Sequence, residues 1–522
     1  MFNRPVWRSL VTALALSLTL AACSGGGASD ADGTNGSQTI DPNGELILGT
    51  VTVPTGFDPH LEKHGGERPY WFLVFDRLTQ VDAKGGLVPM LASKWETAAD
   101  GKTVNFTLRD DVTFHDGAKF DAEAVKANVE RAKSVKGSAV AEDLAVVDSV
   151  EVVSPTEVQF VLSEPDAELP SLVAGPAGAM ISPKALADSS VDFTTDPGKA
   201  GSGPYVVDAF TPNEKTVFVP AEAKNWDPEA GRLKRLELRF IQDDRTMNSA
   251  LRAGEIDVAY VNPANANGVK EAEALAKSGE FELVNQDTGV LNALLIRGDR
   301  ISEPAVREAI MRSVDRDAIA NDLLQGTCER SDQISRKGFP GYIDGYEDPY
   351  PYDAPAAKKM LQDAGADGLK IDIDFIAGRE QIPQVLQEQL KAVGIKASLT
   401  PLSSIEVLTA WRSGEVDTWA YQIAPDVTVS GTGQFMMGAT GFGKNVPALA
   451  TAIKKARETV DDAERETAYQ DMMKTALSEI MLVPYCHLDA RYLVANGVVD
   501  FESAPLPYAQ YMVDMRHVAR SK

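Results

Sequence analysis

A seven-residue unit occurs twice in this chain, as Leu251-Arg252-Ala253-Gly254-Glu255-Ile256-Asp257 and as Trp411-Arg412-Ser413-Gly414-Glu415-Val416-Asp417. Each copy closes a strand pattern followed by a helix pattern: Leu236 to Ile241 then Thr246 to Ala253, and Ile395 to Leu399 then Ser404 to Ser413. Each then runs into a short apolar strand, Val258-Ala259-Tyr260 or Thr418-Trp419-Ala420-Tyr421. A glycine after the helix admits the left-handed turn that other residues adopt only at a cost. The repeated order of elements predicts two similar α/β units. Ligands of open α/β sheets sit beyond the carboxyl ends of the strands, so the segments after Tyr260 and Tyr421 are expected to face one another across a cleft. Asn262, Tyr421 and Gln422 thereby become expected ligand contacts.

At 522 residues the chain exceeds one ordinary core, and roughly two to four core-sized units are expected. Residues 67–195 read as a strand-rich stretch with helical insertions. Thr103 to Leu108 alternates polar and apolar, Val150 to Leu162 gives two strands around Ser154-Pro155-Thr156, and Asp121 caps a helix through Val125, Val129 and Ala132. The net charge of −25 argues against nucleic acid as a partner.

At the N-terminus, Arg4 and Arg8 precede an apolar run from Leu10 to Ala22 that is too short for a comfortable membrane span. Its end, Leu20-Ala21-Ala22-Cys23, resembles the lipobox of bacterial lipoproteins, which implies a signal segment over residues 1–23, cut between Ala22 and Cys23, and lipidation of Cys23. Residues 24–44, rich in Gly, Ser, Asp and Asn, read as a flexible tether. That leaves Cys328 and Cys486 on the oxidising side of the membrane, either as one disulfide or as two buried thiols.

A dense run of motifs then follows: Leu87-Val88-Pro89-Met90-Leu91-Ala92, Lys94-Trp95-Glu96, Phe106-Thr107-Leu108-Arg109, Val112-Thr113-Phe114-His115-Asp116-Gly117 and Phe120-Asp121-Ala122-Glu123. Further along come Gly203-Pro204-Tyr205, Val306-Arg307-Glu308-Ala309-Ile310, Tyr352-Asp353, Ala357 to Gly365 and Asp489-Ala490-Arg491. In this order, over residues 45 to 520, they resemble the family 5 extracellular solute-binding proteins, which include oligopeptide, dipeptide and nickel receptors. Most of these residues have structural roles first: Asp353 and Asp315 as helix caps, His115 as a satisfied structural histidine.

The resemblance implies an α/β, two-lobed periplasmic-binding-protein type II fold, with an extra α+β subdomain on lobe I. Lobe I would comprise 45–66, 196–288 and 491–522, with 67–195 as its subdomain; lobe II would be 289–490. It implies a monomeric, lipid-anchored receptor on the extracytoplasmic face of a bacterial membrane, passing a peptide or peptide-like solute to permease subunits powered by a separate ATPase. By position within the family, Phe57 in the loop Pro54 to His60 is the expected cleft wall. Asp426 is the expected amine-binding carboxylate, and Tyr485 and His487 are expected cleft aromatics. The family's Gly-Trp before that aspartate is absent here, since Ile423 stands in place of the tryptophan.

Catalytic signatures are missing. There is no P-loop, because Gly441-Phe442-Gly443-Lys444 lacks the spacing and the hydroxyl, and there is no Gly-x-Ser-x-Gly or His-Glu-x-x-His. Five histidines make a histidine-built metal site a poor expectation, and no cofactor is implied. The competing readings are a receptor for a metal chelate, an opine or an oligosaccharide (Trp419 and Tyr421 as sugar platforms), a secreted hydrolase, and a chemosensory or chaperone-like protein.

Overall fold

The computed structural model describes residues 39–62, 64–426, 428–437 and 446–522. Arg4, Arg8, Cys23, most of the expected tether and the stretch Gly441 to Lys444 lie outside the described residues. The described end of the tether departs from expectation, because it is already tied down. Ile40 bridges Ser521, and the Asp41 N–H donates to the Arg520 carbonyl at 2.8 Å. A Cβ on Gly44 would stand 2.7 Å from Arg520 Cβ, so the glycine there permits close approach rather than flexibility. The compact unit runs from Ile40 to Lys522.

Among the described residues its main sheet has eleven strands, ten along one path and the short Cys328–Arg330 off it, paired with Leu482–Ala495. Two long ones lie at the centre, Phe281–Ile296 and Leu482–Ala495, antiparallel to each other. On one side the sheet continues through Val258–Tyr260, Glu45–Thr50 and Arg235–Phe240 to the hairpin of Lys215–Pro220 and Tyr205–Thr211. On the other it continues through Thr418–Ile423 and Lys370–Ile376 to Lys396–Leu402. The central pairing is broken between Asp287 and Leu291, where the register shifts. Phe281 to Asp287 pair with 489–495, and Leu291 to Leu295 with 482–487. The two long strands thus cross from one half of the molecule to the other, and their ladder is interrupted at the crossing.

The cores divide at the same place. One gathers Leu46, Phe57, Trp71, Leu238, Tyr260 and Tyr492, with no member between 284 and 490. Two others lie wholly between Val290 and Leu488. A separate core within residues 78–180 joins the four-stranded sheet Ala92–Thr97, Thr103–Leu108, Glu157–Leu162 and Val147–Ser154 to helix Ala122–Ser134. At this level the fold is a two-lobed α/β arrangement.

Local chemistry accounts for the elements that place the site. Asp243 caps helix Asp244–Arg252 by accepting from the Thr246 N–H, and Ser403 opens helix Ser404–Ser413 with a capping box to Glu406. Both end near a glycine of positive φ, Gly254 at 70° and Gly414 at 81°. Asp353 caps helix Ala354–Asp363, and Asp315 accepts from the Ala318 N–H at 3.0 Å. His115 Nε2 lies 2.7 Å from the Gly203 carbonyl, a structural contact. The first strand stops at Thr50, short of the apolar Val51 and Val53.

Candidate functional site

A cavity of about 230 Å³ lies between the halves, beside the central strands. From the first half it takes Asp244, Asn262 and Asn265; from the second Asn292, Arg379, Glu380, Tyr421, Gln422 and Tyr485. Its walls are strand ends and helix starts. Asn262 lies two residues past Val258–Tyr260, and Tyr421 and Gln422 belong to Thr418–Ile423. Arg379 follows the Lys370–Ile376 strand, and helices Asp244–Arg252, Ala266–Ala276 and Gln381–Ala392 all begin at this wall. Helix N-termini carry partial positive charge and free N–H groups, which favours anionic groups in the cavity.

The polar lining is organised by hydrogen bonds. Asn265 caps its helix by accepting from the Gly268 N–H at 3.1 Å and donates Nδ2–H to Asp244 Oδ2 at 2.6 Å. Burial raises the Asp244 pKa, with the Asn265 bond acting the other way. Gln422 Oε1 accepts from Arg379 Nη1 at 2.7 Å and from Gln510 Nε2, on the first half, at 3.0 Å. Burial pushes the Tyr421 phenol up to about 12, and it raises Tyr260 and Tyr511 as well. Arg379 opposes the shift in all three, so one guanidinium faces tyrosines of both halves.

Behind the cavity, Cys328 and Cys486 form a disulfide with Cα atoms 5.5 Å apart. The Asn292 side chain lies against both sulfurs, at 3.5 and 3.7 Å. The bond ties the short strand Cys328–Arg330 to the crossing strand next to Tyr485.

Of the expected contacts, Asn262, Tyr421, Gln422 and Tyr485 line this one cavity; Phe57, His487 and Asp426 do not. Phe57 is a core residue with no exposed surface. Its N–H donates to the Phe193 carbonyl, and its ring meets Phe210 edge-on at 5.3 Å between centroids, so the loop turns this side chain inward. His487 is buried against the Ile334 carbonyl at 2.9 Å, and desolvation lowers its pKa to about 4. A β-bulge separates it from Tyr485: Ala293 pairs with Pro484 and Asn292 with Cys486, leaving Tyr485 as the extra residue. Bulges re-aim side chains, so the two aromatics do not act as a pair. Asp426 is exposed, three residues past its strand, with its N–H donated to Thr432 Oγ1 at 3.0 Å. It faces Arg68; burial works against that cation, but Glu62 and Asp426 together hold its pKa above the ordinary value.

The principal cation, Arg379, was not expected from the sequence. The signal was available: the strand-end rule, applied to Ile371 to Ile376 as well as to the echoed strands, leads to Gly378-Arg379-Glu380. Among the described residues no group of three or more His, Cys, Asp or Glu is placed to hold a metal ion, and no helix is long and apolar enough to cross a membrane.

Comparison with known proteins agrees with this arrangement. The chain is 30% identical over 324 residues to the glutathione-binding protein GsiB of Salmonella paratyphi A, an alignment of 60% of this chain and 61% of that protein. The chain thus spans about three fifths of the length of the first such relatives. With the nickel-binding periplasmic protein of Escherichia coli it shares 26% identity, over 83% of this chain and 87% of that one. In structure it matches the binding protein AgaA from A. tumefaciens R10, solved with agropinic acid, at a TM-score of 0.80 and 24% identity, covering 92% of this chain and 99% of that chain; this likeness shows the fold, a type II periplasmic binding protein. The model of the bacterial extracellular solute-binding proteins, family 5, middle region, matches residues 86–445. The chain, two-lobed and with a polar cavity between its halves, therefore belongs to the family 5 bacterial extracellular solute-binding proteins.

Proposed function

We propose that this chain is the extracytoplasmic receptor of an ATP-driven importer and that it captures a small peptide or peptide-like solute without altering it. The observation that carries the reading is the cavity between the halves, with one guanidinium, two carboxylates and several amides converging on it. Arg379 and the helix N-termini suit a solute carboxylate, and Asp244 and Glu380 suit an ammonium. At about 230 Å³ the cavity falls below the roughly 300–1,000 Å³ of drug-sized sites, which favours a short peptide over a long one. Glutathione, named for several relatives, is the first solute to test.

In this proposal 45–66, 196–288 and 491–522 form lobe I, with 67–195 appended to it, and 289–490 forms lobe II. Solute stabilises closure only through contacts made to both lobes, and Gln422 and Asn262 lie on opposite sides. Cys23 would carry the lipid that keeps the receptor at the membrane, beside permease and ATPase subunits encoded elsewhere.

Native mass spectrometry of protein purified without added ligand, followed by calorimetric titration with glutathione, dipeptides, an opine and a nickel chelate, tests the reading. Retention or tight binding of a peptide is expected. A neutral sugar in the native protein, or turnover of any bound solute, would overturn it.

A further inference from the structure

Outside the cavity, a second set of buried polar groups joins the halves. After the Glu157–Leu162 strand, residues Asp166 to Glu168 reach helices Val429–Met437, Pro447–Glu458 and Asp462–Ser478. Glu168 is only 4% exposed, where a carboxylate needs partners. Its Oε1 accepts from the N–H groups of Val429 at 3.0 Å and Ser430 at 3.2 Å, and from the Tyr469 hydroxyl at 2.7 Å. Burial raises the Glu168 pKa, while these bonds oppose the rise. Asp166, 3% exposed, accepts from Arg457 Nε at 3.2 Å, and the Ala167 N–H donates to the Arg457 carbonyl at 2.7 Å. Asp166 Oδ1 also accepts from the Glu168 N–H at 2.9 Å, which fixes the two carboxylates relative to each other.

The helix gripped by Glu168 begins where the loop after Thr418–Ile423 ends. Asp426 in that loop donates its N–H to Thr432, and a Cβ on Gly431 would stand 2.9 Å from Asp426 Cγ. Asp426 is thus packed against the helix, three residues past the strand that presents Tyr421 and Gln422 to the cavity. From this geometry we propose that Asp166 and Glu168 form a closure clasp: positioning residues that hold the four-stranded-sheet region against the second half and fix the loop behind the cavity wall. The clasp gives that region a part in solute retention although it lines no part of the cavity. It does not depend on which solute is bound.

The test uses the full chain without added solute, as wild type, Glu168→Ala, Glu168→Gln and Asp166→Asn. Hydrogen–deuterium exchange reads the Val429 and Ser430 amides, and small-angle scattering reads the opening. In Glu168→Ala these amides are expected to exchange at least tenfold faster, with an increased radius of gyration and unchanged protection in the core strands. Asp166→Asn should widen the particle in the same direction by a smaller amount. Glu168→Gln keeps a carbonyl acceptor and should restore most of the protection, a rescue that a purely electrostatic role would not show. Unchanged exchange and radius in Glu168→Ala would overturn the clasp. So would protection lost evenly through both halves, which would mark Glu168 as a folding residue.

Discussion

Helix Asp244–Arg252 is capped by an aspartate, stops before Gly254 and leads into a strand of three residues. Helix Ser404–Ser413 is capped by a serine, stops at Gly414 and leads into a strand of six. Both strands end at the seam, yet the units supply different parts to the cavity. The short strand is spent before the rim, so the first unit offers its helix start, Asp244, and the turn beyond the strand, Asn262 and Asn265. The longer strand reaches the rim itself and offers Tyr421 and Gln422. A repeated unit therefore sets the direction of approach, while strand length decides which residues arrive.

Each half also buries one neutral histidine, and acid should test the two halves together. His60, beside Asp58 and Arg131, and His487, on the Ile334 carbonyl, both have pKa values lowered to about 4, chiefly by desolvation. The folded pKa lies below the unfolded value of 6.5, so between pH 6.5 and 4 only the unfolded chain takes up these protons. The histidine contribution to stability is intact above that window and falls as pH drops through it, by up to about 3 kcal/mol for each histidine. Urea unfolding at pH 7 and pH 4.5 should show the histidine share as proton uptake, set against release from Asp143 and Asp374, whose pKa values burial raises to about 6. Replacing His487 with Asn should remove only the second half's share. An uptake that stays the same in this variant would assign the acid response elsewhere.

The disulfide has no counterpart among the described residues of the first half. Joining residues separated by 158 positions, it closes a long loop, and its loss should cost about 2–4 kcal/mol. Cys328→Ala with Cys486→Ala should lower the denaturant midpoint and loosen amide protection in 289–490 before the rest. Uniform loosening would mean that the halves unfold as one unit and that the asymmetry has no energetic meaning.

Arg379 belongs to neither repeated unit, and its removal should separate site from scaffold. Arg379→Gln should weaken a carboxylate-bearing solute such as glutathione by roughly 1.5–3 kcal/mol, about tenfold to a hundredfold. Asp426→Asn, outside the cavity, should change affinity by less than about threefold, corresponding to surface ion pairs of about 0–1 kcal/mol. Calorimetry on both variants checks the contrast. A larger loss in the Asp426 variant would return the anchor to that loop.

What could be read from the chain follows from how local each cause is. Caps at Asp121, Asp353 and Asp315 and the helix-ending glycines act within a few residues, so the pattern displays them. Tyr421 and Gln422 were found because strand ends face the cleft whatever packs around them. Phe57 misled because a loop aromatic can turn toward solvent or core, and the Phe193 carbonyl that turns it inward is remote in sequence. The bulge that separates Tyr485 from His487 is a property of pairing between two strands, and neither strand shows it alone. Glu168 looks like any loop carboxylate until helices from the other half close over it.

The smallest expected effect returns to the two glycines, where the echo is closest. Both have positive φ, so an alanine at either pays the left-handed penalty of about 1–2 kcal/mol. Beyond that the sites differ. A Cβ at Gly254 would meet nothing within 4 Å, whereas at Gly414 it would stand 3.2 Å from Arg297 Nη2. That guanidinium is buried and engaged with Asp299 and the Trp411 carbonyl, so it has little freedom to move. Gly414→Ala should therefore be more destabilising than Gly254→Ala, by up to about 1 kcal/mol, within the range for strained small-to-large changes. Matched urea titrations of the two variants give the difference directly. Equal losses would mean that Arg297 yields, leaving the caps and the strand lengths to distinguish the units. A greater loss at Gly254 would show that the first unit is the more tightly constrained, against the packing described.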